Sequence, residues 1–228
     1  GKIPGTHTDL ENEMIKTLLN KHGIKARCIG GFTFRNQNLW TIDVDDRLYR
    51  KTMEELKRQI ELAHLLDCPM IRTLFFSKQA CIFDKPLQMV EDAGLDLVIE
   101  TGVNTALTSG WLNRKFIEDI GSNHLKVLWD PANMLINREY PSTVYAEIKD
   151  FIAHIHIKDG IYNANTSTII ATAIGDGDMA QYMTEISDNL KKDNYQGVIS
   201  VENFYIPSCQ TTKEGYRAGI RVFKKIFG

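Results

Sequence analysis

No stretch of this chain concentrates lysine and arginine. Its 27 basic and 29 acidic residues leave a net charge of −2 and a pI near 6.3. Nucleic acid is therefore not an electrostatically favoured partner. No apolar run approaches the ~20 residues needed to span a membrane. No signal-peptide pattern opens the sequence either, so a cytoplasmic protein without membrane association is expected. Cysteine is sparse: Cys28, Cys68, Cys81 and Cys209 are scattered, with no C-x-x-C pair. That spacing argues for reduced thiols rather than cysteine metal ligation or a catalytic thiol. A Gly-rich phosphate turn after an early strand is also missing. Gly175-Asp176-Gly177-Asp178 offers one superficially, but it follows a polar loop rather than a strand, which argues against a dinucleotide fold. No linker, low-complexity segment or short repeat divides the 228 residues, so residues 1–228 read as one domain.

What is present is an alternation of helix and strand signals in an ordinary globular composition, 43% hydrophobic and 25% charged. Helices are expected at about Leu10–Lys21, Tyr49–Leu66, Pro86–Asp92, Trp111–Ile120, Tyr140–Lys149, Asp178–Lys192 and Thr212–Lys225. In the second of these, Leu56, Ile60, Ala63 and His64 fall roughly on one face. Pro141 sits near a first turn, and Asp178 is placed to cap the helix after the long loop. Strands are expected at KARCIG, IRTLFF, LDLVIE, LKVLWD, FIAHIHIKD and GVISVE. Repeated β/α units imply a parallel sheet, and the α/β barrel explains this order better than an open doubly wound sheet.

The last four strands carry the clearest functional signal. Each ends in a metal-ligand side chain: Glu100, Asp130, His156 and Glu202. All four are in phase with one face of their strand. The opposite face is apolar throughout: Leu97 and Ile99, Val127 and Trp129, Ile155 and Ile157, Ile199 and Val201. Polar groups at the C-terminal ends of helix-covered parallel strands point to one mononuclear metal site. Any one carboxylate alone reads as a solvated strand end; matching phase and chain order make the set. His154 shares the phase of His156, two residues earlier, and reads as an interior or supporting histidine.

Four segments, LVIET, VLWDPANM, HIHIKDG with the following IGDGD, and YQGVISVENF, resemble the xylose-isomerase-like TIM-barrel superfamily of sugar isomerases and epimerases. The resemblance implies a parallel (β/α) TIM barrel with Glu100, Asp130, His156 and Glu202 around one divalent metal. It also implies acid/base roles for Glu100 and Glu202 on either side of a substrate carbon. The family's first two strands have no counterpart here, since KARCIG corresponds to the third. A chain of six units leaves open sheet edges, so the domain is expected either to be N-terminally incomplete as given or to have its edges covered by a homo-oligomer or partner chain.

The donor set favours Mn²⁺, with Mg²⁺, Co²⁺ or Zn²⁺ as alternatives. A small carbohydrate presenting a hydroxy-carbonyl unit suits such an ion. The expected activity is isomerisation or epimerisation by proton transfer next to the carbonyl, through an enediolate. Dehydratase or lyase chemistry on a keto-sugar, inosose or keto-glycoside is the alternative, and a non-catalytic sugar-binding barrel the second. Candidate substrate contacts are Lys158, Asn133, Arg72 and His154. Each has a plainer reading. Lys158 points into the loop layer, Asn133 ties down the Pro131 turn, and Arg72 meets a carboxylate lower in the barrel. Asp159 reads as a loop-capping residue, and Trp111 and Trp129 as core aromatics. The family's three-zinc endonucleases need a histidine at Asn133 and further ligands near Ile169-Ile170-Ala171, so that branch does not fit. Ketose 3-epimerases have His, Glu and Arg where this chain has Asn133, Ala106 and Tyr162, so the substrate is expected to differ from theirs.

Overall fold

A computed structural model describes residues 2–33, 47–74, 81–102, 105–163, 165–166 and 168–228. They form two compact units. The first holds the chain up to Glu100 and the segment Ile117–Lys126; the second holds Thr101 and Gly102, Thr108–Phe116 and everything from Val127 onward.

The first unit opens with helix α1, Asp9–Lys21. Thr8 and Glu11 form a capping box, with the Thr8 N–H donating to Glu11 Oε2 at 2.8 Å. Strands β1 (Ile29–Thr33), β2 (Met70–Thr73) and β3 (Asp96–Glu100) pair in parallel, with Arg72 opposite Val98. Helices α2 (Arg47–Leu65) and α3 (Cys81–Asp92) lie between them in the chain. The first strand begins later than KARCIG suggested. Lys25 and Arg27 stay exposed, and burial begins only at Ile29. The second starts one residue before IRTLFF; Phe75 and Phe76 lie outside the described residues. Helix α3 starts before Pro86 and contains it. The forfeited backbone bond is offset by burying Ile82, Phe83, Leu87 and Val90. Helix α2 buries Tyr49, Met53, Leu56, Leu62 and Ala63, whereas His64 faces solvent.

Helix α4 (Gly110–Ile120) and strand β4 (Leu125–Trp129) each begin in one unit and end in the other. The second unit continues with helices α5 (Pro131–Ile136) and α6 (Pro141–Ile148) and strand β5 (Ile152–Ile157). Then come β6 (Gly160–Asn163), β7 (Thr168–Ala171), α7 (Ala180–Lys192), β8 (Val198–Val201) and α8 (Thr212–Phe227). Strands β4 and β5, and β5 and β8, pair in parallel. The strand order is β1-β2-β3-β4-β5-β8, a six-stranded β/α sheet, as the strand count required. Leu97, Ile99, Val127, Trp129, Ile155 and Ile157 are all buried, so the apolar phase of these strands is the helix-covered face. Ile199 and Val201 are only half-buried. Trp129 packs against Tyr145, with ring centroids 5.4 Å apart. Trp111 departs from its expected core role. It is 52% exposed, because α4 turns Asn113 and Ile117 inward instead. Among the described residues no helix is long and apolar enough to cross a membrane.

The long loop after β5 is more ordered than its polarity suggested. It carries the antiparallel β6–β7 hairpin, with Ile161 opposite Ile170. One carboxylate anchors it. Asp159 is buried and accepts from the N–H groups of Gly160 (2.8 Å), Gly175 (2.9 Å), Gly177 (3.1 Å) and Met179 (3.0 Å). The close approach requires glycine: a Cβ at Gly177 would fall 2.5 Å from the Gly160 nitrogen. Asp178 does not cap α7. Its carboxylate accepts the Tyr162 N–H at 2.7 Å, and Met179 is the N-cap residue.

Replacing Asp159 with alanine strands four amide donors, two of them buried. We expect a loss of about 3 kcal/mol or more, read as a lower urea midpoint. A midpoint within error of the parent would show that water serves these amides equally well.

Candidate metal centre

Within the second unit, Asp130 follows the last residue of β4 and is the N-cap of α5. Pro131 occupies the first helical turn, where its missing N–H is harmless. The expected turn is thus a short helix, and it divides the Asp130 carboxylate between two tasks. Oδ1 accepts the Asn133 N–H at 3.1 Å, and Oδ2 faces the interior of the site. Thr101 clamps the backbone here: its hydroxyl accepts the Asp130 N–H at 2.8 Å. Asn133 Nδ2 donates to the Thr101 carbonyl at 3.0 Å. Asn133 therefore ties down the turn in this structure.

The parallel register brings His156 and Glu202 together. His156 pairs with Ser200 and Ile157 with Val201, and the Glu202 N–H extends the ladder to the Ile157 carbonyl at 3.0 Å. His156 Nδ1 lies 3.6 Å from Glu202 Oε1. One ligand atom from each of Asp130, His156 and Glu202 lies within 4.8 Å of the others. His154, one step down the same face, is buried; its Nε2 shares a hydrogen bond with Ser200 Oγ at 2.8 Å. Its ring stands edge-on to His156, 5.2 Å between centroids. This is an interior, supporting position.

Lys158 completes the cluster. Its ammonium lies 2.5 Å from Asp130 Oδ2 and 2.9 Å from Glu202 Oε2, with the side chain 14% exposed. Burial works against its charge, but the Asp130 and Glu202 carboxylates outweigh burial and raise its pKa above the ordinary lysine range. Lys158 Nζ also sits 5.4 Å from the centre of the Phe204 ring.

In the first unit, Glu100 ends β3, buried and ion-paired with Arg72, 3.0 Å from Nη1 to Oε2. Arg72 thus meets a carboxylate, but it is the strand-end Glu100 rather than one lower in the barrel. Cys28 supplies no reactive thiol: burial, foremost, pushes its pKa up to about 12, and burial likewise raises that of Cys68.

The residues of the cluster fit a divalent cation. Two carboxylates and an imidazole form an oxygen-rich donor set, and an ammonium already stands between the two carboxylates as a stand-in cation. Sequence reasoning missed Thr101, Ser200 and Phe204. Ser200 was findable, since it shares the strand phase of Glu202. Thr101 and Phe204 are not metal-ligand residue types, so a search for converging ligands passed them over. Tyr162 lies elsewhere, in a cavity of about 410 Å³ with Tyr140, Tyr182, Arg138 and Asp178, which none of these ligand candidates lines.

The chain belongs to the xylose isomerase-like TIM barrel family, whose model matches residues 4–226. Three solved structures illustrate the fold. D-psicose 3-epimerase is 19% identical, covering 98% of this chain and 86% of its own, with a TM-score of 0.74. The probable 3-DHS dehydratase AsbF of Bacillus anthracis is 16% identical, covering 94% and 82%, TM-score 0.74. A xylose isomerase-like TIM barrel protein from Mycobacterium smegmatis, solved with magnesium, is 17% identical, covering 98% and 81%, TM-score 0.69. No curated protein matches the sequence.

The thiol assignments are directly checkable. Cys209 is exposed, whereas Cys28 and Cys68 are shielded with raised pKa values. Alkylation at pH 8, followed by peptide mass spectrometry, will label Cys209 at least tenfold faster than either. Fast labelling of Cys28 would contradict its burial.

Proposed function

We propose that this protein is a divalent-metal-dependent carbohydrate isomerase or epimerase that moves a proton on the carbon next to a carbonyl. The observation that carries this reading is the meeting of Asp130, His156 and Glu202 at the C-terminal ends of their strands. That is where a β/α barrel places its chemistry. Glu100 is the fourth ligand in this proposal. It ends β3 in the strand phase that matches theirs. Family membership supports an enzyme, and the fold is shared with proteins named as an epimerase and a dehydratase.

Three carboxylates and one imidazole favour Mn²⁺, Mg²⁺ or Co²⁺ over a structural Zn²⁺. When bound, such an ion supplies Lewis-acid polarisation of a carbonyl, which acidifies the adjacent C–H. The remaining work falls to the chain. Glu100 and Glu202 take and return the proton. Arg72 orients Glu100 through the 3.0 Å pair, and Asn133 holds the Asp130 carboxylate by its N–H. Burial of Glu100 and Asp130 limits water at the reacting carbon. Return of the proton to the opposite face epimerises, and return to the neighbouring carbon isomerises. Loss of a β-leaving group instead makes the enzyme a lyase.

The test is deuterium uptake from heavy water by ketoses, inososes and keto-glycosides, with Mn²⁺ present. Exchange next to the carbonyl is expected with at least one class, and the product identifies the reaction. Sugar binding without exchange in any class would favour a sugar-binding barrel instead. Glu100→Gln and Glu202→Gln should each lower turnover by roughly two to four powers of ten, with an unchanged circular dichroism spectrum. Near-parental turnover in either variant would remove that residue from acid/base chemistry. Asp130→Asn should abolish the metal-induced rise in melting temperature.

A further inference from the structure

We propose that Lys158 is a built-in counter-cation of the metal centre, and that metal uptake is an exchange. The ammonium gives up Asp130 and Glu202, and turns onto the face of Phe204. The inference rests on the metal reading above and adds how the site is kept and filled.

Asp130 has no solvent exposure, and its Oδ1 is engaged by the cap of α5. Only Oδ2 faces the cluster, and Lys158 Nζ lies 2.5 Å from it. The same ammonium lies 2.9 Å from Glu202 Oε2. An ion ligated by these two residues would bond oxygens at about 2.0–2.2 Å, drawing on the lone pairs that the ammonium now faces. A divalent ion and an ammonium that close repel strongly in a weakly screened site. Both cannot keep their best positions. Lysine is suited to yield: it is a compact charge on a flexible stem, unlike the rigid guanidinium of arginine.

The structure also provides a place for the displaced charge. Phe204 lies two residues beyond Glu202, and its ring centre is 5.4 Å from Nζ, inside the ~6 Å range of a cation–π contact. Phe204 is 63% exposed, so an ammonium turned toward it reaches the side of the site open to solvent. There it is available to an oxygen or anionic group of the substrate. The carboxylates are thus neutralised in both states, by Lys158 before uptake and by the metal afterwards. A lysine that merely supports the ligands would leave metal affinity unchanged or raise it. An internal competitor lowers it.

The experiment is calorimetric titration of Mn²⁺ into the parent protein and Lys158→Met. Exchange predicts that the variant binds at least tenfold more tightly, and that its metal-free form melts at a lower temperature. Equal or weaker binding by a folded variant would overturn the inference and leave the metal reading intact. Absence of binding in both proteins would sink the metal reading and this inference with it. Because the metal-free variant loses the ammonium that pairs Asp130 and Glu202, a second measurement uses the parent alone. Lys158 acetylation by an N-hydroxysuccinimide ester is followed by peptide mass spectrometry with and without Mn²⁺. Faster labelling with metal supports release of the ammonium; unchanged or slower labelling overturns it.

Discussion

A carboxylate with no exposed surface must be compensated where it stands. Asp130 is such a group, and the second unit is arranged around compensating it. Charge in a poorly solvated interior is tolerated only when paired or hydrogen-bonded on every side. One oxygen is satisfied by helix geometry, because β4 runs directly into α5 and offers the Asn133 N–H. The other is satisfied by Lys158, from the strand next in the sheet. The Thr101 hydroxyl fixes the peptide between them. Strand pairing, helix start and ion pair are therefore mutually dependent. Moving Asp130 by one residue would break the cap and the pair together.

The same economy recurs at Asp159. That carboxylate serves four amides in a loop that returns to its own starting point. Consecutive residues at the end of β5 thus divide the labour. His156 and Lys158 address the cluster, Ile157 packs into the core, and Asp159 holds the loop. The period-two alternation of a strand carries over into the first loop residues.

Much of this was legible in the sequence because it follows from phase and order. The last four strands were placed nearly correctly, since each combines an apolar alternation with a polar end. The strand-end placement of Asp130, His156 and Glu202 was readable for the same reason, and Asp159 was correctly read as a loop-capping residue. The early strands were harder. KARCIG carries two charges that keep Lys25 and Arg27 outside the ladder, a tertiary effect that no local propensity encodes. The β6–β7 hairpin escaped notice because its polar turn resembles a loop, and its short strands alternate only weakly. Trp111 misled because bulk predicts burial on average, whereas its position in the first turn of α4 decides exposure. The cap expected at Asp178 did not form because its carboxylate is taken by the Tyr162 amide of the hairpin, a partner distant in sequence.

The fastening of the hairpin at its base has an evolutionary corollary. Ile161 and Ile170 lie on an antiparallel arm tied near its base by the Asp159 and Asp178 carboxylates, while Asp130, His156 and Glu202 stand at the ends of parallel strands. Length and composition of the arm beyond Asn163 are then nearly decoupled from the geometry of the cluster. Descendants of this chain can lengthen, shorten or recolour that arm while inheriting the cluster unchanged.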